Sequence, residues 1–208
     1  MIAIVDYGVG NLFSLKSSLA AIGADAVVTA QREELARAEK IILPGVGAFE
    51  DAIGKLRQTG LDRVLTDEAE KGKLLLGICL GMQMLFDRSF EYGEHEGLGL
   101  IPGQVRPIAE VIPAEYKIPH IGWNALHFQK ESPLFRDVRE GEHVYFVHSY
   151  YAAGCTAHTV ATAEYGAELT AAVQRENVFG CQFHPEKSGR VGLNILKAFA
   201  EMEEGDIC

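Results

Sequence analysis

Four short apolar runs in the first 80 residues, each followed by a helical pattern, constrain the fold of this chain most. The runs begin at Ile2, Ala26, Ile41 and Leu74, and the last is Leu74-Leu75-Leu76-Gly77-Ile78. Strands that are apolar at nearly every position, rather than at alternate ones, are covered on both faces. The pattern therefore predicts an α/β fold of three layers, in which helices flank a mostly parallel central sheet.

The later part of the sequence changes character. From about Pro102 the apolar segments are shorter and β-rich, which predicts additional antiparallel strands in the C-terminal half, the last at Val178 to Phe183. A closing amphipathic helix is predicted from Val191 to Met202. No linker or repeat marks a boundary, so residues 1–208 are predicted to form a single domain.

Composition and charge limit the possible partners and compartment. The chain has 19 basic and 29 acidic residues, a net charge of −10, and no block of basic residues. This argues against nucleic acid or a membrane as a partner. Four cysteines lack paired short spacings, and no uncharged apolar run approaches the ~20 residues that cross a bilayer. Without a basic leader at Met1, these features predict a soluble cytoplasmic protein with free thiols.

A candidate nucleophile follows the fourth apolar run. Gly77-Ile78-Cys79-Leu80-Gly81 lies between a strand and a helical run in which Met82, Leu85 and Phe86 share one face. Small residues on both sides of a nucleophile permit the tight strand-to-helix turn of a nucleophile elbow. At a helix N-terminus the Cys79 thiolate would be favoured, and the N–H of Leu80 could hold an oxyanion. Alone, the motif fits a buried structural cysteine equally well.

A proton carrier for this thiol is expected at His184-Pro185-Glu186, directly after the last predicted strand. A histidine oriented by a carboxylate can move the protons of a cysteine nucleophile. Pro185 predicts an extended turn in which residues 184 and 186 point the same way. By itself the tripeptide is more typical of an ordinary loop; together with the elbow, it favours a catalytic triad.

Six motifs occur in order along the chain, at residues 6–11 (D-Y-G-V-G-N), 44–47 (P-G-V-G), 77–83 (G-I-C-L-G-M-Q), 122–124 (G-W-N), 148–150 (H-S-Y) and 184–188 (H-P-E-K-S). They resemble those of the class I, triad-type glutamine amidotransferases and, more narrowly, the glutaminase subunits of imidazole glycerol phosphate synthases. The resemblance spans essentially the whole chain and implies the class I amidotransferase fold.

The resemblance also implies roles for individual residues. Cys79 would attack the side-chain amide of L-glutamine, His184 would pass the proton to the leaving ammonia, and Glu186 would orient the imidazole. The other implied positions are Gly45, Val46, Gly47 and Leu80 for the oxyanion, Gln83, Glu91, Ser149 and Tyr150 for the substrate, and Asn11 and Lys187 for a partner interface.

A partner is expected because ammonia in neutral water is mostly protonated and no longer nucleophilic. The chain has no phosphate-binding loop or second catalytic constellation for an acceptor. The resemblance implies that the partner, in a heterodimer, is a (βα)8-barrel cyclase. That cyclase would use the ammonia to make imidazole glycerol phosphate and aminoimidazole carboxamide ribotide in histidine biosynthesis.

The remaining histidines and cysteines carry no predicted chemistry. His148 is interpreted as a core residue, and five others form no H-E-x-x-H or C-x-x-C pattern, so neither a metal nor a cofactor is predicted: His95, His120, His127, His143 and His158. Three cysteines lack an elbow and are predicted to be buried or surface thiols: Cys155, Cys181 and Cys208.

Three alternatives remain at this stage. One is another triad amidotransferase, such as the glutaminase of pyridoxal phosphate synthesis, against which the segment P-G-V-G at 44–47 argues. A second is a dinucleotide-binding module based on Gly8-Val9-Gly10, but Phe13 replaces the third glycine of that motif. The third is an inactive regulatory relative, which an intact Cys79, His184 and Glu186 make improbable.

Overall fold

The computed structural model describes residues 1–207, apart from the side chain of Glu204. Cys208 and its predicted thiol therefore lie outside the described residues. The thiols of Cys155 and Cys181 are free and buried, in agreement with the prediction.

Within this range, strands and helices alternate first and strands predominate later. The strands are β1 (Ile2–Val5), β2 (Ala26–Thr29), β3 (Lys40–Leu43), β4 (Leu74–Ile78), β5 (Phe86–Ser89), β6 (His95–Glu96), β7 (Ile101–Pro107), β8 (His120–Ala125), β9 (His127–Phe128), β10 (His143–His148), β11 (Tyr150–Ala153), β12 (Thr159–Glu164), β13 (Glu168–Arg175) and β14 (Val178–Cys181). The helices are α1 (Leu12–Ala21), α2 (Arg32–Arg37), α3 (Phe49–Thr59), α4 (Leu61–Glu70), α5 (Leu80–Met84) and α6 (Gly189–Glu201). Short 3-10 turns occur at Ile108–Glu110, Pro133–Phe135, Pro185–Lys187 and Glu204–Asp206.

The central sheet has the order β2-β1-β3-β4-β14-β13-β12-β9 over the described residues. The first five of these strands are mutually parallel, and β13, β12 and β9 add to them antiparallel. Every residue of β1 and of β4 is buried, as their uninterrupted apolar character predicts. The predicted α/β architecture is therefore confirmed, with the antiparallel strands in the C-terminal half.

Helices cover both faces of this sheet. On β1, Ile4 belongs to the core that contains Leu15 of α1 and Leu196 of α6. The next residue, Val5, points to the opposite face and belongs to the core that contains Ile53 of α3, where α2 and α4 also contribute. Because successive residues of a strand face opposite ways, one apolar run supplies both cores of a three-layer fold.

The helix predicted after Cys79 is much shorter than its apolar pattern suggested. It ends at Met84, and the chain enters β5 at Phe86, so the prediction of one continuous helical face there was wrong. The carbonyl of Met84 accepts a hydrogen bond from the N–H of Leu98 at 2.8 Å, and that of Leu85 accepts one from Ile101 at 3.0 Å. A distant segment therefore takes the acceptors that helix continuation would have used.

Two smaller sheets stand beside the central one. They have the orders β11-β7-β5-β6 and β10-β8 over the described part of the chain. The strand β14 ends at Cys181, two residues before its predicted end at Phe183, because a 3-10 turn follows closely. None of the helices found in residues 1–207 has the length and apolar character needed to span a bilayer.

Candidate active site

Cys79 lies in a sharp turn between β4 and α5. Its φ of 54° and ψ of −112° form a conformation that residues with a side chain rarely adopt. The flanking glycines make the turn possible. A Cβ at Gly81 would lie 1.9 Å from the carbonyl oxygen of Leu43, and a Cβ at Gly77 would lie 2.7 Å from the carbonyl oxygen of Gly81. The turn has the strained geometry of a nucleophile elbow at the carboxyl end of a parallel strand.

His184 and Glu186 form a buried pair next to this turn. The Nδ1 of His184 lies 2.9 Å from Oε1 of Glu186, and the two side chains are only 3% and 4% exposed. The prediction that the turn is extended was wrong, because Pro185–Lys187 forms a 3-10 turn, but the side chains of residues 184 and 186 point the same way, as predicted. That turn is held by Ser188, whose hydroxyl donates to the carbonyl oxygen of His184 at 2.6 Å and accepts from the N–H of Tyr145 at 2.9 Å.

The surroundings of His184 favour its charged form. Burial by itself lowers the pKa of His184, but the interactions with the side chains of Cys79 and Glu186 outweigh that effect and raise the pKa to about 9. At neutral pH the imidazole is then protonated, with the carboxylate of Glu186 at its Nδ1. An imidazolium beside Cys79 stabilises the thiolate, the form of cysteine that attacks a carbonyl carbon.

The predicted oxyanion loop packs tightly against the elbow. A Cβ at Gly45 would lie 2.7 Å from the backbone nitrogen of Gly81, so only glycine allows this approach. Gly47 has a φ of 92°, which also favours glycine. The hydroxyl of Tyr7 donates to the carbonyl oxygen of Pro44 at 2.8 Å and so anchors the start of the loop.

A cavity of about 530 Å³ brings most of the predicted site together. Its wall includes ten of the predicted residues, Val46, Gly47, Cys79, Leu80, Gln83, Glu91, Ser149, Tyr150, His184 and Lys187. A second cavity, of about 10 Å³, shares Val46 and His184 with it and is lined by the other three, Asn11, Gly45 and Glu186. All the positions that the sequence predicted therefore lie together at the carboxyl ends of the parallel strands of the central sheet.

Two residues predicted to hold the substrate already make hydrogen bonds to protein. The amide Nε2 of Gln83 donates to the carbonyl oxygen of Tyr150 at 3.2 Å and to Oε1 of Gln182 at 3.0 Å. The Oε2 of Glu91 accepts from the N–H of Phe49 at 2.7 Å, and burial raises the pKa of Glu91. Over residues 1–207 no protein donor reaches Oε1 of Gln83, which leaves that oxygen for a ligand.

Comparison with known proteins agrees with this geometry. The family described as glutamine amidotransferase class-I matches residues 3–202. The chain belongs to the class-I glutamine amidotransferase family. It is an enzyme of that class, as its sequence predicts.

Several relatives of this amidotransferase are similar over nearly their whole length. The imidazole glycerol phosphate synthase subunit HisH of Caldanaerobacter subterraneus subsp. tengcongensis is 50% identical over 203 residues, covering 97% of this chain and 98% of that protein. The same subunit of Geobacillus thermodenitrificans is 50% identical over 208 residues, covering 99% and 97%. The narrower resemblance to these glutaminase subunits is therefore confirmed.

Solved structures confirm the fold at lower identity. A crystal structure of a glutamine amidotransferase has a TM-score of 0.75 at 20% identity and covers 97% of this chain and 100% of that one. PurLQS from Thermotoga maritima has a TM-score of 0.74 at 22% identity and covers 95% and 96%.

Sequence reasoning missed three features of the amidotransferase site. Tyr7 supports the predicted oxyanion loop, and Gln182 lies beside Cys79. Both stand in segments that the sequence had singled out, the D-Y-G-V-G-N motif and the last predicted strand, but neither residue was given a role. His120 and His148 form a buried pair, with Nδ1 of His120 3.0 Å from Nε2 of His148. The interpretation of His148 as a core residue is confirmed, since it is 6% exposed, but its pairing was not predicted. His148 is the first residue of the H-S-Y motif, and His120 lies two residues before the G-W-N motif, which was the one signal that the sequence offered.

Acidification from pH 6.5 to pH 4 is expected to destabilise this amidotransferase through the histidine pair. Burial lowers the pKa of both His120 and His148 to about 4. Their pKa in the unfolded chain is about 6.5, so the unfolded chain binds more protons in this window and stability falls as the pH drops. His148 alone accounts for about 2 to 3 kcal/mol, measurable as the free energy of unfolding in urea at several pH values.

Variants separate this effect from the titration of carboxylates. His148→Gln is expected to flatten the dependence between pH 6.5 and pH 4, whereas His143→Gln, an exposed position on the same strand, is expected to leave it as in the wild type. Equal slopes for all three proteins would contradict the assignment.

Proposed function

We propose that Cys79, His184 and Glu186 hydrolyse L-glutamine to glutamate and ammonia, and that the ammonia passes to a cyclase subunit in histidine biosynthesis. The enzyme class rests on the family and on HisH relatives that are about 50% identical. The observation that carries the residue roles is that a strained Cys79 and His184 line the same cavity, while the buried Glu186 lies 2.9 Å from Nδ1 of His184.

The proposed reaction begins with the thiolate of Cys79. Its sulfur bonds to the amide carbon of the glutamine side chain, and the carbonyl oxygen becomes an oxyanion that accepts from the N–H of Leu80 and from the loop 45–47. His184 donates its proton to the amide nitrogen, the C–N bond breaks, and ammonia leaves. A water that gives its proton to His184 then attacks the thioester, releasing glutamate and restoring the thiolate.

The same cavity offers groups for the rest of the substrate. Oxygen Oε1 of Gln83 is positioned to accept from the amide nitrogen of glutamine, and Glu91 supplies a carboxylate for the α-ammonium group. Ser149 and Tyr150 line the wall of the cavity and offer hydroxyl and backbone groups to the α-carboxylate.

An exposed apolar patch beside the cavity suits a partner protein. It consists of Ile118, Ile121 and Trp123, which are 46%, 58% and 56% exposed. Ile118 also lines the cavity, and Lys187 lies on its wall. Exposed apolar side chains grouped in this way are typical of protein interfaces. We propose that this exposed apolar patch, with Asn11 and Lys187, contacts a (βα)8-barrel cyclase in a cytoplasmic heterodimer.

The decisive experiment measures glutamate release by the purified chain, alone and with an imidazole glycerol phosphate synthase cyclase and its nucleotide ligand. A large rise in the rate of glutamate release with the liganded cyclase is expected, and full activity without it would contradict the coupling.

A glutamine analogue with an electrophilic diazoketone is expected to modify Cys79. Cys155 and Cys181 should remain unmodified, because burial raises the pKa of both thiols. Labelling at either would contradict the proposed nucleophile.

A further inference from the structure

Gln182 lies in the loop that joins β14 to His184, and its side chain is completely buried. Its amide Nε2 is 3.7 Å from the sulfur of Cys79, within the range of a hydrogen bond to sulfur. We propose that Gln182 is a further catalytic residue, whose side-chain amide donates a hydrogen bond to Cys79 and stabilises its thiolate. This inference rests on the proposed function of Cys79 as the nucleophile.

The hydrogen bonds around Gln182 fix which end of its amide faces the sulfur. The carbonyl oxygen of Tyr150 can only accept, so Gln83 must present its NH₂ group there, at 3.2 Å. The second hydrogen of that NH₂ group points to Gln182, which must therefore present its oxygen, at 3.0 Å. The NH₂ group of Gln182 is then left facing Cys79.

A second contact to the same carbonyl strengthens this argument. Nδ1 of His148 lies 2.8 Å from the oxygen of Tyr150, so that nitrogen carries a hydrogen and Nε2 accepts from Nδ1 of His120. Both lone pairs of the Tyr150 oxygen are thereby used, by His148 and by Gln83. The orientation of every donor between His120 and Cys79 follows from one backbone carbonyl.

The backbone holds Gln182 in place independently of these side chains. Its N–H donates to the carbonyl oxygen of Ala171 at 2.8 Å, which extends the pairing of β14 with β13. On the other side, the N–H of Cys79 donates to the carbonyl oxygen of Cys181 at 2.7 Å. The amide and the sulfur are therefore positioned by two neighbouring strands of the central sheet, and the contact needs no movement to form.

A donor in this position has a clear chemical effect. A thiol accepts hydrogen bonds weakly, whereas a thiolate accepts them strongly, so a fixed N–H group favours ionisation. Cys181 provides the contrast: within residues 1–207 no side-chain donor reaches its sulfur, and burial raises its pKa well above the ordinary value. Gln182 supplies Cys79 with the side-chain hydrogen-bond donor that Cys181 lacks.

The test is the pH dependence of iodoacetamide alkylation at Cys79, followed by peptide mass spectrometry in the complex with the cyclase. Gln182→Glu keeps an oxygen for Gln83 but replaces the donor with a carboxylate, and Gln182→Met removes both groups. In each variant the pH midpoint of Cys79 alkylation is expected to rise by about one pH unit. The value of kcat/KM for glutamine hydrolysis is expected to fall about ten- to a hundredfold. A purely structural role would not move the midpoint.

A matched control comes from the neighbouring strand. Gln174 accepts from the hydroxyl of Ser132 at 2.6 Å, so Gln174→Glu makes the same chemical change and keeps that hydrogen bond. In the Gln174→Glu variant, the pH midpoint of Cys79 alkylation and kcat/KM for glutamine hydrolysis are expected to equal those of the wild type.

Two outcomes separate this inference from the proposed function. An unchanged midpoint in both Gln182 variants would overturn the role of Gln182 while leaving Cys79 as the nucleophile. Glutamine hydrolysis that survives in Cys79→Ala would instead overturn the proposed function itself.

A second measurement needs no variant at position 182. In ¹⁵N-labelled chain bound to the cyclase, the side-chain amide resonance of Gln182 is expected to shift with the midpoint of Cys79 alkylation, and to lose that shift in Cys79→Ala. A resonance that does not respond to pH across this midpoint would overturn the inference.

Discussion

Glu186→Gln is expected to lower kcat for glutamine hydrolysis by about 10²- to 10⁴-fold, because the proposed general acid and base, His184, would lose the carboxylate that orients it. The amide retains the size of the carboxylate but not its charge. Without that charge at Nδ1, the pKa of His184 falls, and the imidazolium that stabilises the Cys79 thiolate is lost. An amide can also present its NH₂ group and so select the wrong tautomer of His184. Initial rates of glutamate release, with the cyclase saturating, measure the effect.

The chain offers a close control for this prediction. His127 and Glu140 form another histidine–glutamate pair with the same 2.9 Å separation, but both side chains are exposed, at 48% and 58%. Glu140→Gln is therefore expected to leave kcat unchanged. If Glu186→Gln retained more than about a tenth of the wild-type kcat, the triad assignment of Glu186 would be wrong.

Gly81→Ala is expected to destabilise the fold by at least about 3 kcal/mol and to abolish activity in any protein that still folds. The added Cβ would lie 1.9 Å from the carbonyl oxygen of Leu43, which is backbone and cannot move aside as a flexible side chain would. The proposed oxyanion loop follows Leu43 closely and would be displaced as well. Urea unfolding followed by circular dichroism measures the loss.

The same substitution elsewhere should have the opposite effect. Gly54 lies inside α3, and a Cβ there would meet nothing within 4 Å. Gly54→Ala is expected to stabilise the protein by about 0.5 to 1 kcal/mol, because alanine favours the helix more than glycine does. Similar effects of the two substitutions would show that the close approach of α5 to β3 does not control the elbow.

Local sequence was sufficient for the strands in which every residue is apolar and buried. The strands β1 and β4 begin and end at the residues that their apolar runs predicted. The helix after Cys79 was predicted too long, because its apolar residues are buried whether they lie in a helix or a strand. Segment 98–101, which takes the carbonyls of Met84 and Leu85, is too far along the chain for any local pattern to reveal.

The candidate site divides in the same way. Cys79, His184 and Glu186 stand in short motifs whose residue types have a direct chemical meaning, so they could be selected before any fold was known. Gln182 and the His120–His148 pair could not, because an amide or an imidazole gains its meaning from its hydrogen-bond partner. Those partners lie 103 and 28 residues away in the chain.

The sequence by itself determined the three-layer α/β fold and selected Cys79 and His184 as the candidate nucleophile and proton carrier, since apolar periodicity and short motifs act over a few residues. Only the tertiary structure decided the direction of the hydrogen bonds that reach Cys79 and the raised pKa of His184. Both depend on distances between groups that the chain separates widely, and hydrogen bonds and desolvation act only at such close range.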